Sequence, residues 1–211
     1  MSEIRFRLAK PSDAKQIASC HWHVRDRYSQ GIFLSLGEGF LRAYYKVTLN
    51  DPWEVVVCAE RSDGVIVGFT SATLDATAQA ESLRKHKLTL GLAAIKGLIC
   101  NPSLIEGVWQ RYRSISSSES GQKFVKTDGV RSEYVCWLKD DKNSMMYSVM
   151  ERVKRQILYD LGVKEYFFEV DKHNEKMLQY HMRVSKAVPV EEITLPDGRV
   201  RVLFKRELKR K

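Results

Sequence analysis

Five histidines and four cysteines carry the broadest chemistry in this chain, and their spacing builds no familiar centre. Cys20, Cys58, Cys100 and Cys136 lie far apart with no C-x-x-C pair, which argues against a zinc knuckle or a disulfide framework. His21-Trp22-His23 is an H-x-H. On a helix, residues two apart do not share a face, so this pair does not converge on one metal ion. His86, His173 and His181 add no ligand spacing, and no metal site is expected. The G-x-S-x-G, Walker and H-E-x-x-H patterns do not occur. Cys136 falls in an apolar run and reads as a small buried hydrophobe rather than a nucleophile. Trp109-Gln110-Arg111-Tyr112-Arg113 interleaves basic and aromatic residues. That pattern suits a polyanion, and equally a helix with a mixed face.

Composition bounds the remaining possibilities. The 211 residues are 44% hydrophobic and 29% charged, enough apolar surface to bury a core and therefore not a disordered polyelectrolyte. The length favours one domain spanning residues 1–211. The net charge of +9 favours anionic partners, but it is spread along the chain. Its densest tract, Lys205 to Lys211, reads as a solvated end, so no specific nucleic acid is expected. Met1 to Arg7 is charged from the start and lacks the apolar stretch of a signal peptide. Leu88 to Ile105 is interrupted by Lys96, Asn101 and Pro102, so no transmembrane segment is expected. The default is a soluble cytoplasmic protein.

Hydrophobic periodicity supplies the elements that must position any site. Ile4, Phe6 and Leu8 alternate with arginines and predict a strand; Ser12 is a candidate N-cap for the helix that follows. A second helix is predicted from about Leu36 to Leu49. Glu54–Glu60 and Val65–Thr73 flank Ser62-Asp63-Gly64 as a β-hairpin. Ala80–Lys87, Leu88–Leu98 and Leu104–Tyr112 read as helices of an insertion near residues 76–130, with Ser114–Gly129 as loop. Glu133–Leu138 is a strand, followed by a helix capped at Asn143 or Ser144. In it Met146, Met150, Val153, Ile157 and Leu161 keep helical spacing up to Gly162. Glu165–Asp171 is a strand, Asn174–Val184 a helix, and Val188–Leu195 and Val200–Leu208 a closing pair of strands. Such an order gives a mixed sheet with helices on both faces, an α/β (α+β) domain.

This serial order resembles the GNAT (GCN5-related N-acetyltransferase) superfamily. The opening Ile4 to Ala14, the Phe33-Leu34-Ser35-Leu36-Gly37 run with Phe40-Leu41 and Tyr44-Tyr45, and Gly68-Phe69 in the hairpin are similar to one subgroup of it. So is the insertion around Asn101-Pro102. The resemblance implies a mostly antiparallel twisted sheet and transfer of an acetyl group from acetyl-CoA to a small-molecule amine, such as an amino sugar in a biosynthetic pathway. Amides around Cys136, Trp137 and Leu138 would then receive the pantetheine arm. Lys142, Asn143, Ser144, Met145, Met146 and Tyr147 would hold the pyrophosphate through amides at a helix N-terminus. Met145 and Tyr147 stand where the family pattern Q/R-x-x-G-x-G/A has glycines.

Asn174 matches the family Asn that fixes the cofactor arm. The Tyr that protonates the departing thiolate falls at His181, with Tyr180 one residue earlier; Tyr180 is the candidate acid, and a protonated His181 could also serve. Asp75 and Glu133, at strand ends bordering the acceptor pocket of such a fold, are candidate general bases. Each of these residues also has an ordinary structural reading. Met145 and Tyr147 serve as helix and core residues, Tyr180 packs in the core, His181 lies on the surface, and Asp75 and Glu133 are solvated charges. Two further readings stay open: a degenerate binding module of this fold that lacks acetyltransfer or uses another donor, and a basic surface that meets nucleic acid or anionic lipid through the insertion and tail. The oligomeric state, a homodimer among the options, is not legible.

Overall fold

The computed structural model describes residues 3–26, 32–109, 128–138, 144–195 and 198–209. Strands β1 (Ile4–Leu8), β2 (Glu54–Arg61), β3 (Ile66–Thr73), β4 (Arg131–Trp137), β5 (Glu165–Asp171), β6 (Val188–Thr194) and β7 (Val200–Glu207) form one sheet in the order β1-β2-β3-β4-β5-β7-β6. Every neighbouring pair is antiparallel except β4 with β5. Helices α1 (Ala14–His23), α2 (Ile32–Ser35) and α3 (Glu38–Thr48) lie between β1 and β2. Helices α4 (Ala76–Lys85) and α5 (Lys87–Cys100), with a helical segment α6 over 104–109, lie between β3 and β4. Helix α7 (Ser144–Asp160) joins β4 to β5, and α8 (Glu175–Gln179) leads into a π-helical turn, Tyr180–Val184, before β6.

Both faces of the sheet centre are covered, so β2 is a near-continuous apolar run rather than an alternating one, and all eight residues of β3 are buried, Thr70, Ser71 and Thr73 included. Side-chain alternation still divides them. Val56, Cys58, Phe69 and Cys136 pack with Ile17, Leu41 and Tyr45 of α1 and α3. Val57, Ala59, Val67 and Trp137 pack on the other face with Met150 of α7. Helix α5 docks against the first of these layers at Gly97, where an added Cβ would lie 2.5 Å from the Leu36 carbonyl oxygen. Only a glycine permits that backbone approach.

Four local differences separate the structure from the sequence expectation. The first helix is entered through a 3₁₀ turn, Pro11–Asp13, whose capping carboxylate is Asp13 and not Ser12. Asp13 accepts from the Lys10 amide (2.7 Å) and pairs with Arg7 (2.6 Å). The predicted Leu36–Leu49 helix starts two residues later, at Glu38, because Gly37 at φ +92° is its N-cap; the short α2 before it was not expected. Helix α4 begins at Ala76 because the Asp75 carboxylate caps the amides of Thr77 (2.8 Å) and Ala78 (3.1 Å). The predicted Asn174–Val184 helix changes from α to π geometry at Tyr180. Most of the predicted Ser114–Gly129 loop lies outside the described residues.

His21 is buried, its Nδ1 2.8 Å from the Tyr45 hydroxyl, and burial pushes its pKa down to about 4 from 6.5. Between those values the unfolded chain takes up a proton that the folded one refuses, so stability falls as pH falls through that window. We expect His21 to contribute about 3 kcal/mol of lost stability from pH 7 to below pH 4. His181, lowered by burial in the same way, adds to the decline, so urea unfolding at pH 7, 6 and 5 should show a midpoint that declines less in His21→Gln than in the parent; an equal decline in both would contradict the assignment.

Candidate active site

Strand β4 is where the sheet opens. It meets β5 in parallel with Arg131 opposite Phe167, at the beginning of β4, and the Phe167 amide donates to the Val130 carbonyl (3.0 Å). No further ladder pair joins the two strands among the described residues, so their carboxyl-terminal parts part company. On its other side β4 follows β3 with one extra residue, since Thr70 faces Val135 while Ala72 faces Ser132. The extra residue makes a β-bulge at Glu133–Tyr134. Ser71 fills the broken ladder: its hydroxyl accepts from the Tyr134 amide (3.1 Å) and its carbonyl from the Ser132 hydroxyl (3.3 Å).

The bulge has a chemical consequence. Strict alternation would send Glu133 and Tyr134 to opposite faces of the sheet. Instead Tyr134 packs with the α1–α3 layer, and Glu133 on the same side receives the Tyr44 hydroxyl of α3 (3.5 Å). Glu133 also pairs with Arg131 (2.5 Å), whose guanidinium donates to Gln79 of α4 (2.6 Å). The Gln79 amide donates to Glu54 of β2 (2.6 Å). The second Glu54 carboxylate oxygen is buried with no hydrogen-bond partner. Burial and the nearby Glu133 charge hold the Glu54 pKa well above the ordinary carboxylate range. Two carboxylates in one partly dry cluster, one of them favouring its proton, are suited to proton transfer.

An open groove of about 790 Å³ runs between α3 and α4, with Trp53, the neighbour of Glu54, in its wall. Arg42, Lys46 and Lys85 line it together with Asp51 and Glu81, giving it both signs of charge.

The sequence-predicted residues fall into several groups. Glu133 is in the carboxylate cluster, whereas Asp75 spends its carboxylate on the α4 cap, which leaves it poorly placed to act as a base. Among the strand residues proposed for the pantetheine arm, the Leu138 amide is committed to the Val67 carbonyl (2.8 Å). By antiparallel alternation the Cys136 amide also faces β3, and only the Trp137 amide is turned to the β5 side. Lys142 and Asn143 lie outside the described residues, and Ser144 opens α7. Met145 is exposed, Met146 packs with the Trp137 layer, and the Tyr147 ring meets Tyr180 edge-on at 6.2 Å. The beginning of α7 and the candidate acid are therefore neighbours. Asn174 caps α8 through the Met177 amide (3.3 Å). His181 packs on Phe168 at 4.5 Å rather than lying on the surface; burial lowers its pKa to about 4, so it is neutral at pH 7.

Beneath β3 and β4 lies a feature that sequence reading missed. Lys154 of α7 is fully buried, with its ammonium bonded to Thr70 (2.8 Å), Ser132 (2.7 Å) and Glu151 (2.9 Å). Thr70 in turn donates to Glu151 (2.6 Å). Glu54, Arg131, Gln79 and Tyr44 were missed as well. A carboxylate opening the apolar run of β2 was the one available signal; the rest depend on which strands and helices become neighbours. Burial also pushes the Cys20 thiol up to about 12 and the Cys58 thiol up to about 11, so neither is a thiolate nucleophile. No cluster of ligand-type residues that could hold a metal ion occurs among the described residues.

No protein-family model and no curated protein sequence matches the chain. Solved structures do match it. An N-acetyltransferase from Staphylococcus aureus Mu50 aligns with TM-score 0.59 and 12% identity, over 99% of this chain and 100% of that one. An acetyltransferase of the GNAT family from Streptococcus pneumoniae aligns with TM-score 0.54 and 12% identity, over 97% and 99%. The yncA protein of Salmonella typhimurium, solved with its cofactor acetyl-CoA, aligns with TM-score 0.57 and 10% identity, over 100% and 96%. The fold is the GNAT acetyltransferase fold. At these identities the likeness carries the architecture and leaves the chemistry to the residues themselves.

Proposed function

We propose that this protein is an acyl-CoA-dependent N-acyltransferase, with acetyl-CoA as donor and a small amine, such as an amino sugar, as acceptor. The observation that carries the reading is the bulged β4 beside a diverging β5, with Glu133 turned by that bulge toward Glu54 and Arg131. The Trp137 amide would meet the thioester carbonyl as negative charge develops on its oxygen. The amine nitrogen would attack the carbonyl carbon, forming the C–N bond and breaking the C–S bond. Glu133 would take the proton lost by the amine, and the Tyr180 hydroxyl would return one to the thiolate. Met145 and Tyr147 at the glycine positions favour a second reading, a binding module of this fold that has lost the donor or takes another.

Calorimetric titration with acetyl-CoA separates the two. The transferase reading expects saturable binding near one per chain, tightened in Tyr147→Gly if the ring covers a surviving phosphate cradle. A flat titration by a folded protein would leave only the second reading.

A further inference from the structure

Helix α5 carries an apolar face that is exposed and that no other described element packs against. Leu88, Leu92, Ile95 and Ile99 recur at helical spacing, and Leu88, Leu92 and Ile99 are 77%, 71% and 74% exposed. Ile105 and Trp109 of α6, one turn apart, are also exposed. The inner sides of both helices, through Leu90, Ala93, Leu98, Leu104 and Val108, pack on the α1–α3 layer. The outer faces therefore both point away from it. A soluble surface rarely presents so large a contiguous aliphatic patch without an occupant.

The charge around the patch selects the occupant. Arg84, Lys85, Lys87 and Lys96 are all exposed on the same excursion, whose described residues 76–109 contain four Lys and Arg against two Glu. A second copy seated symmetrically on this face would bring two cationic rims together, which opposes association. An anionic bilayer matches both components at once: aliphatic side chains enter the acyl boundary, cations meet phosphate headgroups, and Trp109 sits at the depth an indole prefers. At 14 residues α5 is about 21 Å long, and no described helix is long and apolar enough to cross a membrane, so the geometry is that of a helix lying in the interface plane. We propose that the α5–α6 face is a docking surface for an anionic lipid bilayer.

Vesicle flotation of the full chain tests this. Vesicles of phosphatidylcholine with about one-third phosphatidylglycerol should carry the protein, and pure phosphatidylcholine vesicles should carry at least about fivefold less. The double variant Leu92→Glu/Ile99→Glu changes only exposed side chains, and circular dichroism and thermal unfolding should match the parent. Its partition onto the anionic vesicles should fall at least about tenfold. Lys85→Glu/Lys96→Glu, with the apolar stripe intact, should also weaken partition, and added salt should weaken the parent. Flotation unchanged in Leu92→Glu/Ile99→Glu would overturn the proposal, as would no flotation at all. A doubled mass in sedimentation velocity that Leu92→Glu/Ile99→Glu returns to one chain, without vesicle binding, would assign the face to a second copy instead.

Discussion

Lys154→Ala is expected to destabilise the fold by about 3–5 kcal/mol, among the largest effects of any single substitution in this chain. The ammonium is fully buried, and its three partners, Thr70, Ser132 and Glu151, belong to β3, β4 and α7. Removing it strands the Glu151 carboxylate in an apolar layer between α7 and the sheet, where desolvation is uncompensated. In the intact pair, Lys154 and the Thr70 hydroxyl outweigh burial and hold the Glu151 pKa below its ordinary value. Without Lys154 the cheapest escape is protonation of Glu151, so the penalty should be smaller at pH 5 than at pH 7. The double variant Glu151→Leu/Lys154→Met removes both charges with similar volume and should recover most of the loss. Urea unfolding of the three proteins at both pH values measures this. Equal destabilisation by Lys154→Ala and by the double variant would mean that the pair's charge is not what the site depends on.

Glu133→Gln is expected to lower turnover with acetyl-CoA and a small amine by about 10²–10⁴-fold while leaving acetyl-CoA affinity unchanged. The substitution keeps the size of the side chain and much of its hydrogen bonding to Arg131 and Tyr44, but the amide cannot accept the proton that the amine loses as it attacks. Glu54→Gln should be milder, since under the proposed function that residue would act through its neighbour. Its proton is favoured by burial and by the Glu133 charge, and it keeps the cluster from carrying two full negative charges. Steady-state kinetics beside a coenzyme titration separate the outcomes. Turnover retained in Glu133→Gln would remove this residue as the base. Coenzyme affinity lost together with turnover would make it a structural residue.

The strands and helices were largely legible because each advertises itself locally. The Ile4–Leu8 alternation, the Val-rich hairpin around Ser62-Asp63-Gly64 and the Met146–Ile157 spacing are realised, whereas Leu161 lies past the end of α7 and is exposed. The serial order of those elements pointed to the architecture that the solved structures share with this chain. The start of α4 was missed because Asp75 was weighed as a catalytic charge, although an Asp before Ala-Thr-Ala is a cap signal. The change of helix type at Tyr180 was missed because hydrophobic periodicity passes smoothly through that position.

The site is another matter. Glu133 could be named because the predicted strand opened on it, although β4 begins two residues earlier at Arg131; its direction could not be read. Period-2 alternation from Cys136 assigns Glu133 to the α7 face, and one inserted residue in β4 moves it to the face of Tyr44, Glu54 and Arg131. The insertion exists because β3 and β4 pair out of step across Ser71, a relation between strands more than 60 residues apart. Lys154 illustrates the same limit: on a helix it reads as a solvated cation until β3 and β4 close over it. By itself, then, the sequence determined what kind of element each segment becomes and in what order, because backbone propensity and side-chain period act over a few residues. Register, bulge and burial of charge were decided only by tertiary structure, because they depend on which distant strands meet and how far each is slipped against the next.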